Sequence, residues 1–168
     1  VLIEHDNKKL ASSNLSVINA ASLLASPVVA LVCGFQCQTV AEQVASVKGI
    51  ESVIKIDDEH LEHALAEVIA EAVLSVASDF DHILAPATTF GKNCLPRIAA
   101  KLDVAQVSDV TAIIEPDTFE RPIYAGNAIE TVQSLDEMKV LTIRPSAFLA
   151  QEDKQELASI KDKSVAFS

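Results

Sequence analysis

Tryptophan is absent from the 168 residues, methionine and tyrosine occur once each, and glycine only four times. Gly34, Gly49, Gly91 and Gly126 lie too far apart for a G-x-G-x-x-G turn or a G-x-x-x-x-G-K-[ST] loop, which excludes a standard dinucleotide or P-loop site. The three cysteines, Cys33, Cys37 and Cys94, are an odd number in a chain long enough to bury a core without staples. A disulfide scaffold is excluded, and a reducing compartment, cytoplasm or organelle matrix, is expected. No apolar run approaches the ~20 residues of a bilayer helix, and no basic segment precedes a small-residue cleavage site. Cations are scarce as well: 13 Lys and Arg against 24 Asp and Glu give a net charge of -11. Such a surface repels phosphate backbones and anionic headgroups, so neither nucleic acid nor membrane is expected as a partner.

What is present is an ordinary globular balance, 49% apolar and 22% charged, enough for one domain with a real core. The first two-thirds repeats one unit: a short apolar run, a turn, then an amphipathic helix. Residues 1–3 lead to a helix over 15–24, 28–32 to one over 39–48, and 53–56 to the longest, over 59–78. Residues 82–85 lead to the fourth, over 92–102. This alternation predicts an α/β domain, doubly wound, with a mainly parallel sheet built from right-handed crossovers. Past residue 102 the apolar runs 105–108, 111–114, 118–123, 128–132 and 140–143 follow without helices between them. They predict antiparallel strands late in the chain, completing an edge of the sheet. The domain is expected to span 1–149, with 150–168 a polar helix, linker or tail leading out of it. Val1 already belongs to a strand-like run, which predicts a few residues ahead of it.

Chemistry is sparse. Between the fourth strand and its helix lies Pro86-Ala87-Thr88-Thr89-Phe90-Gly91-Lys92-Asn93. Thr88, Thr89, Gly91 and Lys92, placed where a parallel strand feeds free helix amides, suit an anion or nucleotide phosphate. Thr88 or Thr89 equally suits a plain helix cap. His60 and His63 stand among Asp57, Asp58, Glu59 and Glu62, a set that can ligate a metal. Acidic residues also collect at helix starts to complement the dipole, and no metal site is expected. Cys94 near a helix start is either a reactive thiol or a small packed residue. No G-x-S-x-G is present, and no catalytic residue is expected. In a further polar patch, Arg121-Pro122-Ile123-Tyr124-Ala125-Gly126-Asn127-Ala128, Arg121 and Tyr124 can hold a partner surface, while Gly126-Asn127 reads most simply as a turn between strands.

Five segments read together resemble the amino-terminal domain of the alpha subunit of electron transfer flavoprotein. They are Ile3-Glu4-His5-Asp6-Asn7; the run from Leu84 through Thr88-Thr89-Phe90-Gly91-Lys92 to Arg97; Asp103-Val104-Ala105-Gln106-Val107-Ser108-Asp109-Val110; Arg121 to Ala128; and Arg144-Pro145-Ser146-Ala147-Phe148. The resemblance implies an adenine nucleotide alpha hydrolase-like fold and a soluble heterodimer with a beta subunit, in the bacterial cytoplasm or, as second choice, the mitochondrial matrix. It implies FAD as cofactor of the full-length protein, AMP in the beta subunit, and electrons passing from acyl-CoA and related dehydrogenases, as in fatty acid beta-oxidation, to a quinone oxidoreductase. The family's flavin motifs lie in a second domain and have no counterpart in these residues, so neither FAD nor AMP is expected to bind here.

The expected role is therefore a structural and interface platform of an electron carrier, not an enzyme. A stand-alone AMP- or ATP-binding module using the Thr88 to Lys92 loop is the alternative, and a metal-dependent hydrolase using His60 and His63 ranks last. Phe119, Tyr124 and Phe148 are the interface candidates, since aromatic residues are enriched at interface cores.

Overall fold

A computed structural model of the chain describes residues 1–167. In chain order the helices are α1 (Ser13–Ser22), α2 (Gln38–Ala45), α3 (Ala66–Leu74) and α4 (Thr89–Leu102). The strands are β1 (Val28–Gly34), β2 (Ile50–Asp57), β3 (His82–Pro86), β4 (Gln106–Val110), β5 (Ala112–Glu115), β6 (Thr118–Ile123), β7 (Ala128–Gln133), β8 (Lys139–Ile143) and β9 (Ser159–Asp162).

β1 is apolar on both faces because both of its faces are covered. In β1, Ala30 and Val32 join a core with Val17 and Ile18 of α1 and Val40 and Val44 of α2. Their neighbours Leu31 and Cys33 join the opposite core, with Ile69 and Val73 of α3 and Leu95 and Ile98 of α4. The winding is thus double, as the pattern predicts. β1, β2 and β9 pair in parallel, as do β3, β8 and β4. Residues 1–3 join the two groups: Leu2 bridges Leu31, and its amide donates to the Leu84 carbonyl at 2.8 Å.

Three expectations need correction. The long helix over 59–78 is broken. Asp58 caps a short 3-10 turn at Glu59–Leu61, Ala64 turns left-handed at φ 48°, and α3 runs only Ala66–Leu74. The capped turn buries Leu61, and the chain must then reverse before α3 can lay its own apolar stripe on the sheet.

The late strands do not all extend the main sheet. β5, β6 and β7 form a separate antiparallel sheet, while β8 returns to pair in parallel between β3 and β4. β8 is apolar on both faces and fits the covered interior; β7 alternates and fits a sheet with one face in water.

Residues 151–167 form neither a helix nor a free linker. They cross the domain as a strap: the Gln151 amide bonds the Leu15 carbonyl, the Lys48 amide bonds the Asp153 carbonyl, β9 adds to β2, and Val165 and Phe167 pack on the second core. Polar composition misleads here because the strap is held by backbone pairing together with the Gln155 side chain, and composition reports neither.

Candidate functional site at the carboxyl edge of the sheet

The carboxyl ends of parallel strands are where α/β domains place ligands, and here that edge carries Gly34, Asp57 and Pro86. Thr88, extended at φ -92°, is the N-cap of α4 and accepts weakly from the Gly91 amide at 3.5 Å. Its hydroxyl donates to Glu4 Oε2 at 2.8 Å, an oxygen that also accepts from Ser13 at 3.2 Å. Gly91 presses the first turn of α4 onto the end of β3, where an added Cβ would stand 1.9 Å from the Pro86 carbonyl oxygen. Thr89 begins the helix itself, and Lys92 lies one turn in, exposed. The loop's glycine thus serves helix packing and its threonine serves capping.

The β1–α2 turn is filled in the same way. Phe35 donates its amide to Asn7 Oδ1 at 3.1 Å, Gln36 to Asp57 Oδ1 at 2.7 Å and Cys37 to Asp57 Oδ2 at 3.1 Å. Neither α2 nor α4 has an acidic residue in its own first turn. Asp57 and Glu4, remote in sequence, place carboxylates at the two ends instead, where a helix favours negative charge. At this edge the amides of the β1–α2 turn and the Thr88 hydroxyl are bonded within the chain, to Asn7, Asp57 and Glu4.

The same edge holds the thiols and His5. All three cysteines are buried; burial pushes the Cys33 thiol up strongly, Cys37 to about 12 and Cys94 to about 11. Cys94 is thus a packed residue, and the reading of it as a reactive thiol fails on desolvation. Burial likewise lowers His5, against an opposing hydrogen bond to the Cys33 backbone and the Asp6 charge. Lys55, paired with Asp162 at 2.9 Å, is raised first by that bond. On the neighbouring strands Arg144 clasps Asp109 through both nitrogen and carboxylate pairs.

The remaining candidates lie elsewhere. His60 bonds Asp58 at 2.6 Å and faces the Phe167 ring, while His63 is exposed; no cluster of three or more His, Cys, Asp or Glu suited to a metal occurs among the described residues. Arg121 pairs with Glu130 across β6 and β7. Phe119 is 0% exposed, so as an interface candidate it is corrected to core: it points inward opposite Val132. Phe148 is half-buried against the first core. Tyr124 is 78% exposed at the β6–β7 turn, where both Tyr124 and Ala125 are left-handed. A mainly apolar groove of about 350 Å³, lined by Val1, Leu24, Val28, Val73, Phe80 and Ile83 among others, opens at the amino ends of the strands, away from this edge.

Sequence reasoning missed Asn14 altogether, and missed the roles of Glu4, Asn7 and Asp57, of which Asp57 was weighed only beside His60 and His63 as part of a metal set. Asn14, fully buried, brackets Glu4 by accepting from its amide and donating to its carbonyl. A polar residue on the inner face of α1 was the available signal for Asn14; nothing local marks Asp57 as a partner of residues 36 and 37.

With this geometry in view, known proteins give a consistent answer. The family model described as electron transfer flavoprotein domain matches residues 1–168. The alpha subunit of electron transfer flavoprotein from Pseudomonas aeruginosa is 45% identical over 148 residues, covering 88% of this chain and 48% of the relative. The mitochondrial alpha subunit from Dictyostelium discoideum is 46% identical, covering 88% and 44%, and that from Paracoccus denitrificans 49%, covering 72% and 39%. The chain spans about half or less of the length of these relatives. The chain belongs to the electron transfer flavoprotein family, on the side of its alpha subunit.

Proposed function

We propose that this chain is the platform domain of the alpha subunit of an electron transfer flavoprotein, shaping a heterodimer with a beta subunit while the flavin is held by sequence outside residues 1–168. The whole protein then collects electrons from acyl-CoA and related dehydrogenases and delivers them to a quinone oxidoreductase. FAD supplies the one-electron chemistry, and no residue of this span is catalytic. The observation that supports the platform reading is the carboxyl edge itself, where α/β domains take ligands: there Asp57 accepts from the Gln36 and Cys37 amides and Glu4 from the Thr88 hydroxyl. The same observation disfavours a stand-alone AMP- or ATP-binding module using Thr88, Thr89, Gly91 and Lys92. AMP belongs, on this reading, to the beta subunit.

The interface with that subunit is assigned to the β6–β7 turn and the outward face of the antiparallel sheet, where Tyr124, Ile114 and Ile129 are all more than half exposed. Phe148 contributes only its exposed part. Co-expression with a family beta subunit is the test. The pair is expected to co-purify, and Tyr124→Ala to weaken it by about 2 kcal/mol, roughly thirtyfold in Kd. Purified alone, the chain is expected to show no flavin absorption band after gel filtration and no micromolar AMP binding by calorimetry; a stoichiometrically yellow sample overturns the reading.

A further inference from the structure

The β1–α2 turn has the construction of an anion nest. Gln36 is left-handed at φ 51°, and three consecutive amides, Phe35, Gln36 and Cys37, point at side-chain oxygens. Concave runs of successive N–H groups of this kind bind anions. Here one carboxylate takes two of the three amides, one on each oxygen, in the manner of a bound ligand. It arrives from the neighbouring strand, where Asp57 stands in register with Gly34, and the Asp58 amide donates to the Gly34 carbonyl at 2.9 Å, locking turn to strand. Lys55, on the same strand, adds a cation close by.

We propose that Asp57 is an internal anion seated where a ligand phosphate would bind, and that it is the residue deciding that this edge rejects phosphorylated ligands. A phosphate can enter only by displacing the carboxylate from both amides or by lying beside it, charge against like charge. The inference rests on the proposed absence of a nucleotide site and names its cause. It does not depend on which partner the domain serves.

The test compares the wild-type chain with Asp57→Ala, Asp57→Asn and, as a charge control outside the turn, Glu59→Gln. Thermal and urea unfolding are followed against inorganic phosphate at constant ionic strength, and calorimetry uses AMP. Asp57→Ala is expected to gain saturable, phosphate-dependent stabilisation, with the folded-to-unfolded ratio rising about a hundredfold at phosphate one hundred times its Kd. Wild type and Glu59→Gln are expected to show none, and Asp57→Asn, which keeps one acceptor oxygen, a smaller gain than Asp57→Ala. If Asp57→Ala is unfolded in plain buffer, phosphate is expected to restore its fold, and failure to do so overturns the proposal. A folded Asp57→Ala that ignores phosphate overturns it as well, as does an equal gain in Glu59→Gln. Wild-type binding of AMP at Thr88 and Lys92 would instead sink the platform reading, so the two failures are distinguishable.

Discussion

The Thr88 hydroxyl donates to the Glu4 carboxylate at 2.8 Å across 84 positions of sequence, and so ties the cap of α4 to the segment that joins the two halves of the sheet. Thr88→Ala removes the cap and this tie together. We expect a loss of about 1–2 kcal/mol, read as a lower urea midpoint with an unchanged slope. Thr88→Ser keeps both bonds and should stay within about 0.5 kcal/mol of wild type; a Thr88→Ala chain of wild-type stability contradicts the assignment.

Gly91 and Gly49 separate close approach from backbone conformation. Gly91→Ala puts a Cβ 1.9 Å from the backbone oxygen of Pro86, which cannot swing away as a side chain can. A loss of about 3 kcal/mol or more is expected, as for severe overpacking. Gly49 has open space but a φ of 95°, so Gly49→Ala carries conformational strain alone, about 1–2 kcal/mol. Equal melting temperatures for the two variants would refute the distinction.

His5 gives stability an acid limb. Burial lowers its folded pKa below the ordinary 6.5, so between the two values the unfolded chain binds the extra proton. Its contribution is whole above 6.5, declines as pH falls below that value, and levels off beneath the folded pKa. Urea midpoints measured for wild type and His5→Gln at pH 7.5 and 5.5 should show a smaller acid loss in the variant. An unaltered pH dependence would remove His5 from this role.

Gln155 is the pin of the strap. Its Nε2 donates to the Ile50 carbonyl at 2.7 Å and to the Ala45 carbonyl at 3.4 Å, and its Oε1 accepts from the Gly49 amide at 3.1 Å. Gln155→Ala removes these bonds; the Ala45 carbonyl keeps the Ala158 amide and the Gly49 amide is exposed, so the cost, about 1–3 kcal/mol, falls mainly on the part-buried Ile50 carbonyl. Hydrogen exchange of the β9 amides should accelerate more than that of β8, because β9 is an edge strand and β8 an interior one. Uniform exchange across both strands would mean that the strap is not separately held.

The elements themselves were largely legible. β6 falls at the residues its alternation predicts, and β1, β3 and β8 come within two residues at each end. The helices on 13–22 and 38–45 follow from apolar spacing, and Thr88 from its place before a helical run. Gly126-Asn127 was legible as a turn, and Tyr124, expected at an interface, is exposed beside it. The candidate site was legible only in part: the β3–α4 loop stands out by composition, whereas the residues that fill the edge do not.

The sequence alone determined the alternation, the double winding and the absence of glycine-rich phosphate loops, because those depend on local period and on steric demands carried by single residue types. The tertiary structure alone decided that β8 inserts between β3 and β4, that residues 151–167 strap the domain, that Phe119 is core, and that Glu4 and Asp57 close the two helix ends. Those outcomes are set by which distant backbone and carboxylate groups satisfy one another once packing brings them within hydrogen-bond reach, and local sequence holds no record of that pairing.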